Sequence, residues 1–134
     1  MNELPSEKDI DELTAYLPRL YAEGFKPVKS WNGGTTEEGD LIIPTPVYID
    51  VVQAFFEIAR QRCWCDYAYT PEVARNMLAD VECVKSANLT QIKTMLTFCV
   101  RGERFCDGFW ASMIESGAIR QLLERLVIIR SVTV

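Results

Sequence analysis

Apolar residues recur every three or four positions along most of the 134-residue chain, a spacing that places them on one face of a helix. The first such stretch begins at Ser6, an N-cap residue, with Glu7 and Asp9 in the first turn where the helix dipole favours negative charge. Ile10, Leu13, Leu17, Leu20 and Tyr21 mark its apolar face, and Pro18 predicts a break before a short second piece that ends at Gly24. From Phe25 to Pro46 the helical period is lost. Two short strands are expected there, Pro27 to Trp31 and Asp40 to Ile43, joined by a turn-rich loop from Asn32 to Gly39 and stopped by Pro44 and Pro46.

Helical spacing returns from Val47 to Cys63, where Val51, Val52, Phe55, Phe56 and Ala59 form a wide stripe suited to the centre of a bundle. An aromatic connection, Trp64 to Tyr69, leads to Thr70, Pro71 and Glu72, the start of a helix reaching about residue 85 with Val73, Met77, Val81 and Val84 inside. Asn88 and Gln91 read as a capping pair for a helix carrying Leu89, Ile92, Leu96, Cys99 and Val100. That helix delivers Arg101 and Arg104. Asp107 is placed to cap a short helix bearing Trp110, Met113 and Ile114, with Gly117 closing it, and Ile119, Leu122, Leu123, Leu126 and Val127 mark a last helix. The pattern predicts a mainly α bundle of five or six helices with a small β-hairpin at residues 27–43, and the length suits a single domain over residues 1–134.

Composition narrows the function classes. A net charge of −5 argues against general nucleic-acid binding, which rewards clustered cations, although carboxylates concentrate before residue 41 while Arg101, Arg104, Arg120, Arg125 and Arg130 crowd the other end. No apolar run approaches the roughly 18 residues that a membrane helix requires. Residues Met1 to Glu7 lack a basic region followed by an apolar stretch, so the chain is expected in the cytoplasm, away from membranes. The five cysteines, Cys63, Cys65, Cys83, Cys99 and Cys106, then read as reduced thiols. With no histidine, and with Cys63 and Cys65 separated by one residue, no closed zinc set is formed and no metal is expected. The same lack removes Ser-His and Cys-His nucleophilic systems. Gly33 and Gly34 lack the Lys-Ser/Thr of a phosphate loop and read as turn residues, and no cofactor is expected.

The chemistry that remains is local. Arg101 and Arg104, one helical turn apart, share a side of their helix and can grip one carboxylate or phosphate with two guanidinium forks. The plainer alternative is that they pair with internal carboxylates such as Glu103, Glu115 or Asp66. Cys106 lies close to a helix start and to arginine, features that favour thiolate, but a small buried apolar role suits it as well. Glu37, Glu38 and Asp40 stand in the turn-rich loop, where solvation is their natural role. Asp66, flanked by Trp64, Tyr67 and Tyr69, is the one acid with apolar bodies around it.

Leu17-Pro18, the segment from Trp31 to Pro44, Asp66-Tyr67, and above all Leu96-Thr97, Val100-Arg101, Arg104-Phe105, Gly108 and Glu115-Ser116-Gly117 resemble a family of small uncharacterised prokaryotic proteins. In that family an aromatic precedes the Asp, where this chain has Cys65. The resemblance spans most of the chain and implies the fold and the position of the site, with no activity, cofactor or partner attached.

Three readings of function follow. The first is a non-enzymatic module that engages a protein or a small anion near Arg101 and Arg104, with Asp66 and Tyr67 nearby. The second is an enzyme on a small anionic substrate with Asp66 as general base. The third is an acidic, antitoxin-like inhibitor using the Glu37 to Asp40 loop. A cleft holding both arginines and a desolvated Asp66 favours the enzyme, and an exposed aromatic patch favours the binding module.

Overall fold

A computed structural model of the chain describes residues 3–35, 38, 39 and 41–132, with 34, 35 and 41–44 described by backbone alone. Helix α1 (Glu7–Thr14) opens on a full capping box: the Asp9 amide donates to Ser6 Oγ at 3.2 Å, and the Ser6 amide donates to Asp9 Oδ2 at 2.8 Å. Those bonds hold the Asp9 carboxyl below its ordinary range. Helix α2 (Leu17–Leu20) restarts with Pro18 in its first turn and ends at Leu20 rather than at Gly24, which lies beyond it at a positive φ.

Strands β1 (Val28–Thr35) and β2 (Leu41–Tyr48) pair antiparallel, and both run further than the proline positions suggest. Pro44 and Pro46 do not stop the pairing; Pro46 sits opposite Trp31 inside it. In a two-stranded ribbon each strand has a free edge, so a missing amide need not break a ladder bond, and Pro44 falls within a register shift. Val47 and Tyr48, expected to open the next helix, belong to β2, and α3 runs from Asp50–Ala59.

Val52, Phe55, Phe56 and Ala59 of α3 are fully buried, at the centre of the core as their spacing predicts. A single 3-10 turn, Arg62–Trp64, then buries Trp64 completely, and its indole N–H has no hydrogen-bond partner among the described residues. The helix expected to reach residue 85 is split into α4 (Pro71–Ala79) and α5 (Val81–Lys85). Asp80, in extended backbone, stops one and caps the other, its Oδ1 accepting from the amides of Glu82 and Cys83. The inward residues are therefore Ala74 and Val84, with Met77 partly buried against the core as expected, whereas Val73 and Val81 are exposed.

Helix α6 (Leu89–Arg101) opens on the expected Asn88–Gln91 box, with both bonds at 2.9 Å, and sends Ile92, Met95, Leu96 and Cys99 into the core. Helices α7 (Phe109–Glu115) and α8 (Ala118–Val132) follow. Ile119, Leu122, Leu123 and Leu126 are buried, and Val127 is not. Helix α8 packs along α1, with Arg130 bonded to Asp11 at 3.0 Å and 3.6 Å from Glu7. The Tyr21 hydroxyl fastens the α7–α8 corner: it donates to the Ile114 carbonyl and accepts from the Arg120 amide, both at 2.9 Å. The result is a mainly α fold with one small hairpin, cut into finer helical pieces than the periodicity suggests. Among the described residues no helix is long and apolar enough to cross a membrane.

Candidate functional site: an arginine-lined cleft at the end of α6

The floor of the site is aromatic packing. Trp110 stacks on Phe56 with centroids 4.3 Å apart and planes within 6°, and its indole N–H donates to the Val100 carbonyl at 3.0 Å. Tyr48 lies 5.2 Å from the same indole, which brings the end of β2 against α7. Over this floor opens a cleft of about 410 Å³ lined by Ala59, Arg60, Cys65, Thr97, Val100, Arg101, Glu103, Arg104 and Trp110.

Glu103 organises the cleft wall. Its Oε1 accepts from the Tyr48 hydroxyl at 2.6 Å and from the Trp110 amide at 2.8 Å, while Oε2 accepts from the Gly108 amide at 2.9 Å. The start of α7 is thus capped from the preceding turn. Asp107, the residue whose position suggested the cap, is exposed and makes no such bond; Gly108, at a φ of 88°, is the N-cap. A reversal at positive φ swings the chain so that the longer Glu103 side chain meets the free amides. Burial, then the bond to Glu103, pushes the Tyr48 phenol well above its ordinary pKa.

With Glu103 engaged by three donors, the internal pairing expected for the arginines is not made. Among the described residues neither Arg101 nor Arg104 forms an ion pair or a side-chain hydrogen bond. The Arg101 guanidinium lies over the Tyr69 ring, 5.2 Å from its centroid, and Arg104 is exposed. A third cation, Arg60, arrives from the end of α3, where it stands 3.7 Å from Glu57 in an exposed pair. Nothing in the local sequence around Arg60 marks it, because its place beside Arg101 is a product of α3 packing on α6.

Asp66 goes elsewhere. Its Oδ2 accepts from the Thr94 hydroxyl at 2.7 Å and its Oδ1 from the Ala68 amide at 3.0 Å, an Asx turn that ties the loop to α6. Its own amide donates to Thr97 Oγ1 at 2.9 Å. Asp66 does not line the arginine cleft; it borders a small hollow with Leu4, Thr90 and Lys93, where the buried Lys93 ammonium donates to the Glu3 carbonyl. Tyr67 is two-thirds exposed on the same loop and does not line the cleft either. Glu37 and Asp40 of the acidic loop lie outside the described residues.

The thiols stand as free cysteines, from buried Cys99 to exposed Cys106. Burial pushes Cys99 up to about 12, and burial together with neighbouring Asp9 pushes Cys63 up to about 11. Cys65 lines the cleft and donates its S–H to the Arg60 carbonyl at 3.3 Å. Among the described residues no three Cys, Asp or Glu side chains cluster so as to hold a metal ion.

Fold and site together define a mainly helical protein whose cleft sets three guanidinium groups over an apolar floor. The chain belongs to the family of unknown function DUF6508, which it matches over residues 5–132. Comparison with curated proteins and with solved structures finds no match in either.

Proposed function

We propose that the protein is a non-enzymatic binding module that recognises a carboxylate or phosphate group in the Arg60, Arg101 and Arg104 cleft. The observation that carries this reading is that Arg101 and Arg104, which form no ion pair among the described residues, line a concave site whose one lining carboxylate, Glu103, is held by Tyr48, Gly108 and Trp110. With Arg60 paired to Glu57, Arg101 and Arg104 against the one engaged Glu103 carboxylate leave the cleft positive in a chain whose net charge is −5. Stacking of Arg101 on Tyr69 restrains its fork before a ligand arrives, which lowers the entropy lost on binding. Charge-assisted bonds contribute about 1.5 to 3 kcal/mol each, so two forks support a dissociation constant on the order of millimolar for a simple anion.

The acid–base reading lacks its base at this site, since the Asp66 carboxylate is committed to Thr94 and Ala68. A titration of isotope-labelled protein with inorganic phosphate, and separately with citrate, at constant ionic strength tests the proposal. Saturable shifts of the Thr97, Val100 and Glu103 backbone amide signals, which belong to residues lining the cleft, are expected for at least one anion, and the loss of those shifts in the Arg101→Ala/Arg104→Ala variant. Shifts that never saturate, or that persist in that variant, would refute it.

A further inference from the structure

The segment from Arg101 to Cys106 has two flanks. Arg101, Glu103 and Arg104 face the cleft, whereas Gly102, Phe105 and Cys106 border a second hollow of about 300 Å³ walled by Tyr69, Pro71, Phe98 and Phe109, with Arg75 at its edge. The two sites share a border, because the Arg101 guanidinium rests on the Tyr69 ring that walls the groove. Phe105 stands 83% exposed beside this groove, an apolar ring left in water next to apolar walls. The backbone beneath is tightly built: a Cβ at Gly102 would fall 2.1 Å from the Phe109 ring, so the groove wall is set by close packing.

We propose that groove and cleft together form one docking surface for an acidic protein segment that carries an aromatic or large aliphatic anchor. The anchor seats between Phe105, Tyr69 and Phe109, and carboxylates flanking it pair with Arg75, Arg101 and Arg104. This rests on the anion reading above and names its partner. Charge complementarity selects the occupant. Arg75, Arg101 and Arg104, none of them in an ion pair among the described residues, make this face positive on a chain of net charge −5, so an acidic segment is attracted here and repelled elsewhere. A second copy meeting the same face two-fold would set arginine against arginine, and a polyanionic nucleic acid would meet the negative remainder of the surface. A bare anion fills the cleft but leaves Phe105 uncovered.

The test pans a phage-displayed random dodecapeptide library against the full chain, then measures the enriched peptides by fluorescence anisotropy against wild type and Phe105→Ser. Expected are peptides that combine Asp or Glu with a large apolar residue and whose affinity falls about tenfold or more in Phe105→Ser. Phosphate or citrate titration of that variant should match wild type. Failure to enrich peptides, enriched peptides that lack either acid or anchor, or binding unchanged in Phe105→Ser would overturn the docking surface. The anion titrations decide the cleft separately, so loss of one reading is distinguishable from loss of both.

Discussion

Replacing Glu103 with Gln removes the charge from the group that joins β2, the end of α6 and the start of α7. The carboxylate accepts three hydrogen bonds, from the Tyr48 hydroxyl, the Trp110 amide and the Gly108 amide, at 2.6, 2.8 and 2.9 Å. With its amide oxygen at the Oε1 place, Gln keeps the first two as neutral bonds and sets its NH₂ against the Gly108 N–H. Bonds to a charged acceptor contribute about 1.5 to 3 kcal/mol and neutral ones about 0.5 to 1.5, so the two retained bonds weaken by about 1 kcal/mol each and the third is lost. Trp110 and Gly108 are partly reached by water, which offsets some of that loss, and a net cost of about 2 kcal/mol is expected for Glu103→Gln. Glu103→Ala leaves the Tyr48 hydroxyl unpaired in a residue only 7% exposed and is expected to cost about 3 to 4 kcal/mol. Urea unfolding at neutral pH, followed by circular dichroism and by tryptophan fluorescence, measures both. A Gln variant within about 0.5 kcal/mol of wild type would show that the carboxylate is not what holds the α6–α7 corner together. Coupling to Tyr48→Phe in a double-mutant cycle, expected at about 1 kcal/mol, isolates the shortest of the three bonds.

Gly102→Ala drives a methyl group into the Phe109 ring and is expected to cost about 1 to 3 kcal/mol in thermal or urea unfolding, even though its backbone is helical; wild-type stability would mean that Phe109 moves aside freely. Arg104→Ala should leave stability within about 0.5 kcal/mol of wild type, because it breaks no ion pair among the described residues, and a large drop in the urea midpoint would expose a structural role for the side chain. Stability should decline in alkali. Tyr21 and Tyr48, with ordinary values of 10.0, and Cys63 and Cys99, with ordinary values of 9.0, are all raised in the folded chain, chiefly by burial. Raised acids contribute stability that is fully present below the unfolded pKa and lost as pH rises towards the folded one. The urea midpoint is therefore expected to fall from about pH 9 upward, and a midpoint level through about pH 11 would contradict the burial assigned to these groups.

Features written in neighbouring residues were legible in the sequence. The Ser6 and Asn88 caps, the Pro71 helix start, the α3 stripe and the left-handed turn at Gly117 follow from residues within a turn or two of one another. Features that depend on what lies across the fold were not. Prolines at 44 and 46 look like strand breakers until the sheet is known to have two strands and therefore free edges. Asp107 is the cap its position suggests, and the positive φ of Gly108, which turns the free amides towards Glu103 instead, is not written in the neighbouring residues. Of the candidate site, Arg101 and Arg104 share the cleft, Asp66 turns to Thr94, Tyr67 lies outside, and Arg60 joins through the packing of α3 on α6.

The seam between α1 and α8 governs when this chain can finish folding. Ribosomal synthesis delivers α1 long before its packing partner, so Ile10 and Leu13 emerge with their main covering surface still unmade. Hairpin pairing and the α4–α6 contacts close over short stretches, whereas the seam must join distant parts of the sequence and bear that loop-closure entropy. Until α8 arrives, the apolar face of α1 stays open to water, the kind of transiently exposed surface that favours aggregation in general. The Arg130 contacts to Asp11 and Glu7 tie the far end of this seam, but as part-exposed ion pairs they contribute little, so the seam's closure rests on the apolar packing of α1 against α8.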